Sequence, residues 1–179
     1  MGSVDCHKSS TIPDLLIIHP RVFYDFRGEF VETFSTLSYQ FADAQGKAIT
    51  FVEDDISLSK RNVMRGLHGS PNTCKLVQCL HGEVYCVIVD MRDNSPSLYK
   101  WESITLNDRN RTQLLVPAGC ATGILCMSDS CLFGYKQSQH YIDAQHQFTV
   151  RWNDPKLKIY WPVREPIVSE RDSTAVLLP

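Results

Sequence analysis

The sequence predicts an all-β fold of the sandwich or jelly-roll kind. Three observations carry that expectation. Short segments rich in β-branched residues recur at close spacing, separated by turn residues. Helical periodicity is scarce. Runs such as Val84-Tyr85-Cys86-Val87-Ile88-Val89 are apolar at every position, as strands buried on both faces are.

Taken in order, residues 36–44 form the best helix candidate, with Ser35 or Thr36 as its cap. Residues 75–80 read as a strand, His81-Gly82 as a tight turn, and residues 83–91 as the next strand. A strand over 111–116 is stopped by Pro117 and Gly119. Strands over 123–127 and 131–136 are expected to pair around Ser128-Asp129, and 147–152 follows as a last strand. Residues 154–179 carry four prolines and read as an irregular segment. No repeat or Pro/Gly/Ser-rich linker divides the chain, so residues 1–179 read as one domain.

Composition removes several function classes. The chain has 179 residues, 43 % hydrophobic and 21 % charged, with a formal net charge of −2. A basic excess suited to nucleic acid is missing, as is a polybasic block suited to an anionic membrane. The apolar runs fall far short of the ~20 residues of a membrane span, and the N-terminus lacks the apolar stretch of a signal peptide. Seven cysteines without a C-x-x-C pair suggest reduced thiols and a cytoplasmic protein. The phosphate-binding glycine motifs and the G-x-S-x-G nucleophile turn do not occur. The six histidines form neither an H-x-H pair nor an H-E-x-x-H helix, so no metal is expected.

What remains is Arg65-Gly66-Leu67-His68-Gly69, with Lys75 seven positions on. The glycines let the backbone pass close to a ligand. Alone, that segment fits a structural histidine more readily than a catalytic one. Lys75 opens an apolar strand and either snorkels to water or places a cation in a β-lined cavity. Arg27 and Arg65 suit a diphosphate clamp, or ion pairs with Glu29, Glu32, Glu53 or Asp55. Trp101, Trp152 and Trp161 read as core or interface residues before base-stacking platforms.

Four ordered segments over roughly residues 19–172 change the balance. They are Asp25-Phe26-Arg27-Gly28-Glu29-Phe30-Val31-Glu32; Phe51-Val52-Glu53-Asp54-Asp55-Ile56-Ser57 with Val63-Met64-Arg65-Gly66-Leu67-His68; Lys75-Leu76-Val77 through Gly82-Glu83-Val84 to Val89-Asp90-Met91-Arg92; and Tyr135-Lys136 through Arg151-Trp152-Asn153-Asp154-Pro155 to Ser169-Glu170-Arg171-Asp172. The set resembles the deoxythymidine-diphosphate-4-dehydrorhamnose 3,5-epimerase family. The resemblance implies a cupin-type jelly roll with short peripheral helices. It also implies a homodimer that exchanges N-terminal strands, no cofactor, and a nucleotide-diphosphate-linked 4-keto sugar as substrate.

By the same resemblance His68 matches the base, Asp172 its carboxylate partner, Tyr135 the acid and Lys75 the cation beside the enolate. Arg27, Glu32, Arg65, Thr122 and Tyr141 match substrate-contacting positions. Two departures stand out. In Pro117-Ala118-Gly119-Cys120-Ala121-Thr122-Gly123, Thr122 occupies the place of a second histidine, and Cys86 replaces an aspartate common in relatives. The H-G-x-x-x-T-x-K-L form of residues 68–76 resembles a sub-branch acting on GDP-linked 4-keto-heptoses in surface-polysaccharide pathways. A nucleotide-sugar 3,4-ketoisomerase and a non-catalytic sugar-nucleotide-binding jelly roll are the competing readings.

Overall fold

The computed structural model describes residues 4–179, so residues 1–3 of the expected unit lie outside the described residues. The strands in chain order are β1 (Asp5–Lys8), β2 (Leu16–His19), β3 (Val22–Asp25), β4 (Gly28–Val31), β5 (Glu53–Lys60), β6 (Met64–Gly69) and β7 (Lys75–His81). They continue as β8 (Glu83–Asp90), β9 (Trp101–Asn107), β10 (Gln113–Val116), β11 (Cys120–Cys126), β12 (Ser130–Gln137) and β13 (Phe148–Thr149). A 3-10 turn at Ala144–His146 and the one-turn helix α1 (Glu170–Ser173) complete the elements.

Two antiparallel sheets face each other. The first has the order β1-β2-β10-β7-β12-β5, and the second β13-β6-β11-β8-β9. β3 and β4 form a separate hairpin. Between the sheets lies a core including Val77, Val84, Ile88, Leu114, Ile124 and Phe133. A second cluster, with Val87, Val89, Leu125, Leu157 and Trp161, covers the outer face of the second sheet. β8 supplies both: Val84, Cys86 and Ile88 point inward while Val87 and Val89 point outward. That double burial is why its sequence is apolar throughout. The tryptophans serve packing as expected. Trp101 Nε1 donates to the Leu157 carbonyl and Trp161 Nε1 to the Trp152 carbonyl, both at 2.9 Å.

The jelly-roll sandwich agrees with the sequence, but three local expectations fail. Residues 36–44 form no helix. A turn at 36–38 is followed by a bridge between Ala42 and Ala48. Nine residues are too few to hold a helix by propensity. Here Tyr39 and the partly buried Phe34, Phe41 and Phe51 instead cover the outer face of the first sheet, next to Leu76 and Leu115. The strands flanking His81-Gly82 do not pair with each other, since β7 belongs to the first sheet and β8 to the second. The strands around Ser128-Asp129 divide likewise, β11 in the second sheet and β12 in the first. These turns are corners between sheets, and they pack together. Gly82 has φ +77°, and a Cβ there would fall 2.2 Å from the Ser130 carbonyl oxygen. Finally, 147–152 shrinks to the two-residue β13, because Val150, Trp152 and the chain beyond turn away to cover the second sheet. Among the described residues no helix is long and apolar enough to cross a membrane.

Candidate functional site

A cavity of about 680 Å³ opens between the two sheets. That volume suits a ligand the size of a nucleotide sugar. Its second-sheet wall carries Arg65 and His68 from β6 and Thr122 from β11. Its first-sheet wall carries Lys75 from β7, Tyr135 and Gln137 from β12, and Glu53 and Asp55 from β5. Tyr141 and the 169–172 segment close the rim.

β5 explains the polar wall. It alternates, as a half-buried strand does, but inversely: Glu53, Asp55 and Ser57 line the cavity while Ile56 and Leu58 are 65 % and 66 % exposed on the other face.

His68 and Asp172 form a pair, with Nε2 2.6 Å from Oδ1. The one-turn α1 delivers the carboxylate. Ser169 caps it, its Oγ accepting from the Asp172 backbone N–H. The other carboxylate oxygen accepts from Gly66 N–H at 3.1 Å. Gly66 is required where it stands: at φ +122°, a Cβ would lie 2.6 Å from both the Thr122 carbonyl oxygen and Gly123 Cα. Burial pushes the Asp172 carboxyl up, but the bond to His68, the attraction to that ring, the Gly66 N–H and the Ser169 side chain outweigh it and hold it below the usual carboxylate range. An ionised Asp172 accepts a hydrogen bond from Nε2–H, which leaves Nδ1 as the ring nitrogen with a free lone pair.

On the facing sheet, the Lys75 ammonium lies 5.7 Å from the centre of the Tyr135 ring. The Lys75 ammonium makes no hydrogen bond or ion pair among the described residues. Burial lowers its pKa, Asp55 acts oppositely, and Arg171 adds to the lowering. Burial raises the Tyr135 pKa, helped by Asp55 and Glu53 and opposed by Arg65. Asp55 is the direct cross-strand partner of Tyr135, and Glu53 that of Gln137. Gln137 Nε2 donates to both Glu53 Oε1 at 2.8 Å and Asp55 Oδ2 at 3.1 Å. Burial and the neighbouring Glu53 raise the Asp55 pKa.

Seven of the nine residues singled out in the sequence meet in this cavity: His68, Tyr135, Asp172, Lys75, Arg65, Thr122 and Tyr141. Arg27 and Glu32 do not. Arg27 stands on the exposed β3–β4 hairpin, paired with Asp25 at 2.6 Å. Glu32 follows that hairpin, its backbone carbonyl accepting from the Tyr39 hydroxyl. Neither arginine makes the ion pairs weighed for it. Arg65 donates to Ser59 Oγ at 2.9 Å and to the Leu58 carbonyl, and Glu29 is held by Arg111. Gln137 and Arg171, which the sequence did not single out, also face the cavity, as do Glu53 and Asp55, which the sequence suggested only as ion-pair partners of the arginines. The alternation of polar and apolar residues over 55–59 was the available signal for Asp55.

Among the described residues no group of three His, Cys, Asp or Glu side chains is placed to hold a metal ion. The arrangement suits proton transfer: an oriented imidazole and a phenol on facing walls, beside a buried ammonium.

Comparison with known proteins gives the same direction. Residues 9–179 match the family model described as dTDP-4-dehydrorhamnose 3,5-epimerase. The dTDP-4-dehydrorhamnose 3,5-epimerase of Shigella flexneri is 40 % identical over 164 residues, covering 90 % of this chain and 89 % of that protein. The crystal structure of the corresponding Bacillus anthracis protein, with TDP and PPi bound, superposes with a TM-score of 0.89 at 35 % identity, covering 98 % of this chain and 100 % of that one. ChmJ, a 3'-monoepimerase from Streptomyces bikiniensis, in complex with dTDP-quinovose, gives 0.86 at 28 % identity, covering 96 % and 86 %.

Proposed function

The chain belongs to the dTDP-4-dehydrorhamnose 3,5-epimerase family, and from that premise we infer that His68 and Tyr135 invert carbons flanking the ketone of a nucleotide-diphosphate-linked 4-keto sugar. The observation that carries the reading is the placement of His68, held by Asp172 of α1, on one sheet and Tyr135 with Lys75 on the other, around one cavity.

The C4 ketone acidifies the protons at C3 and C5. His68 takes one of them, and the C–H electron pair moves through the new C=C bond onto the C4 oxygen. The imidazolium so formed is stabilised by Asp172, as an orienting carboxylate does in a catalytic triad. Lys75 offsets the enolate charge in a site of low dielectric, where one such donor contributes on the order of 10²–10³ in rate. Tyr135 then delivers its hydroxyl proton to the opposite face of the same carbon. The phenolate regains a proton and the imidazolium loses one through exchange with solvent. Inversion follows because removal and delivery come from facing walls. Arg65 and Tyr141, at the cavity edge, contact the substrate.

The relatives' names favour dTDP as the nucleotide. A GDP-linked 4-keto-heptose, implied by the resemblance of the H-G-x-x-x-T-x-K-L form of residues 68–76 to a sub-branch acting on such sugars, is the second candidate. The exposed hairpin supports a homodimer: Phe26 is 98 % exposed and Tyr24 72 %, and a second copy placed against it gives Arg27 and Glu32 a route to the partner's substrate. The seven free cysteines fit a cytoplasmic setting.

The test is incubation with dTDP- and GDP-linked 4-keto sugars in heavy water, read by NMR. Deuterium at C3, C5 or both, with inverted product, is expected. Nucleotide-sugar binding without deuterium uptake would make the protein a binding module. A ketone moved to C3 would make it a ketoisomerase.

A further inference from the structure

Thr122 carries an observation that the roles above do not use. Its Oγ1 is buried in the wall of the cavity and has no hydrogen-bond partner. A buried hydroxyl left unpaired costs free energy that a ligand can return. Its place in the register is equally specific. Thr122 is the direct cross-strand partner of His68, and the β11–β6 ladder breaks register between Thr122 and Ile124. Such a bulge re-aims a side chain, and bulges recur beside active sites. Directly opposed residues have Cβ atoms about 5 Å apart. A group bound to Thr122 therefore sits next to the carbon whose proton His68 removes.

The two carbons that flank the ketone differ in what they carry. C3 bears a hydroxyl. C5 of a 6-deoxy sugar bears a methyl group. With C3 presented to His68, the Thr122 hydroxyl finds a partner. With C5 presented, it faces a methyl group and stays orphaned. Resting on the epimerase reading, we propose that Thr122 is a specificity-determining residue that hydrogen-bonds the C3 hydroxyl and so favours C3 over C5 as the centre His68 deprotonates.

The test compares wild type, Thr122→Ser and Thr122→Val in heavy water with a nucleotide-linked 4-keto-6-deoxy sugar, following deuterium at C3 and C5 separately. Thr122→Val is expected to slow C3 exchange about tenfold with little change at C5, while Thr122→Ser keeps the wild-type ratio. On the 3-deoxy analogue, wild type and Thr122→Val should exchange C3 at the same rate, because the hydroxyl that Thr122 binds is gone. Without ligand, Thr122→Val should melt at or above the wild-type temperature, since it deletes an unsatisfied polar atom. An unchanged C3 to C5 ratio in Thr122→Val overturns the proposal. So does a Thr122→Val protein melting several degrees lower, which would make the hydroxyl structural. Wild type that exchanges neither carbon overturns the epimerase reading itself, an outcome distinct from an unchanged ratio.

Discussion

Replacing Asp172 by Asn probes the His68 pair with little change in shape. In the native site Oδ1 accepts from His68 Nε2 at 2.6 Å, and Oδ2 accepts from Gly66 N–H. Asn can keep only one acceptor. If its oxygen retains Gly66, its amide N–H faces Nε2 and forces the ring proton onto Nδ1. The lone pair that removes the substrate proton is then lost. The variant also loses the negative charge that stabilises the imidazolium. Unit charges 4 Å apart interact by about 4 kcal/mol at an effective dielectric of about 20, and loss of a carboxylate in a comparable triad costs on the order of 10⁴ in rate. Asp172→Asn should therefore lower kcat for deuterium wash-in by about 10³ or more, with the substrate Kd little changed. Stability has a pH signature as well. The Asp172 carboxyl is depressed in the folded state, so its contribution is present above the unfolded carboxylate pKa and lost as pH falls through the folded one. The acid limb of thermal stability should flatten in the variant. A wash-in rate within tenfold of wild type would refute the assignment of Asp172.

Three further outcomes follow from neighbouring geometry. Tyr135→Phe should block net inversion while deuterium still enters the starting sugar, and NMR of substrate and product pools separates the two events. Asp55→Asn removes an anion that raises the Tyr135 pKa, so the alkaline limb of the kcat/KM profile should move to lower pH; an unmoved limb would detach Asp55 from Tyr135. Gly66→Ala puts a Cβ 2.6 Å from the Thr122 carbonyl oxygen and Gly123 Cα, at a φ closed to alanine, so it should cost roughly 3 kcal/mol. That is a Tm loss of about 10 °C for a chain of this size, measurable by calorimetry.

Fold class was legible because β8 is buried on both faces and writes that directly as an apolar run. Sheet membership was not. His81-Gly82 has the local chemistry of a hairpin turn, yet Gly82 turns a corner between sheets packed on Ser130, and only tertiary packing distinguishes the two. The helix expected at 36–44 lost to an aromatic cluster of Phe34, Tyr39 and Phe51 that packs on the first sheet. At the site, His68 and Lys75 could be singled out from local sequence, while Asp172 lies 104 positions from His68 and came only through family resemblance. Glu53 and Asp55 entered only as ion-pair partners for the arginines, because β5 turns its polar face inward and leaves Ile56 and Leu58 exposed, the reverse of the usual pattern. Arg27 and Glu32 lie away from the cavity, on and just after the exposed β3–β4 hairpin.

In the proposed reaction the His68 imidazole removes a carbon-bound proton next to a sugar ketone. The most direct measurement is deuterium incorporation into a dTDP-linked 4-keto sugar by wild type and His68→Asn, with nucleotide-sugar binding measured in parallel by calorimetry. Deuterium is expected next to the ketone with wild type, and none above background with a His68→Asn protein that still binds. Incorporation by His68→Asn at the wild-type rate would contradict that assignment.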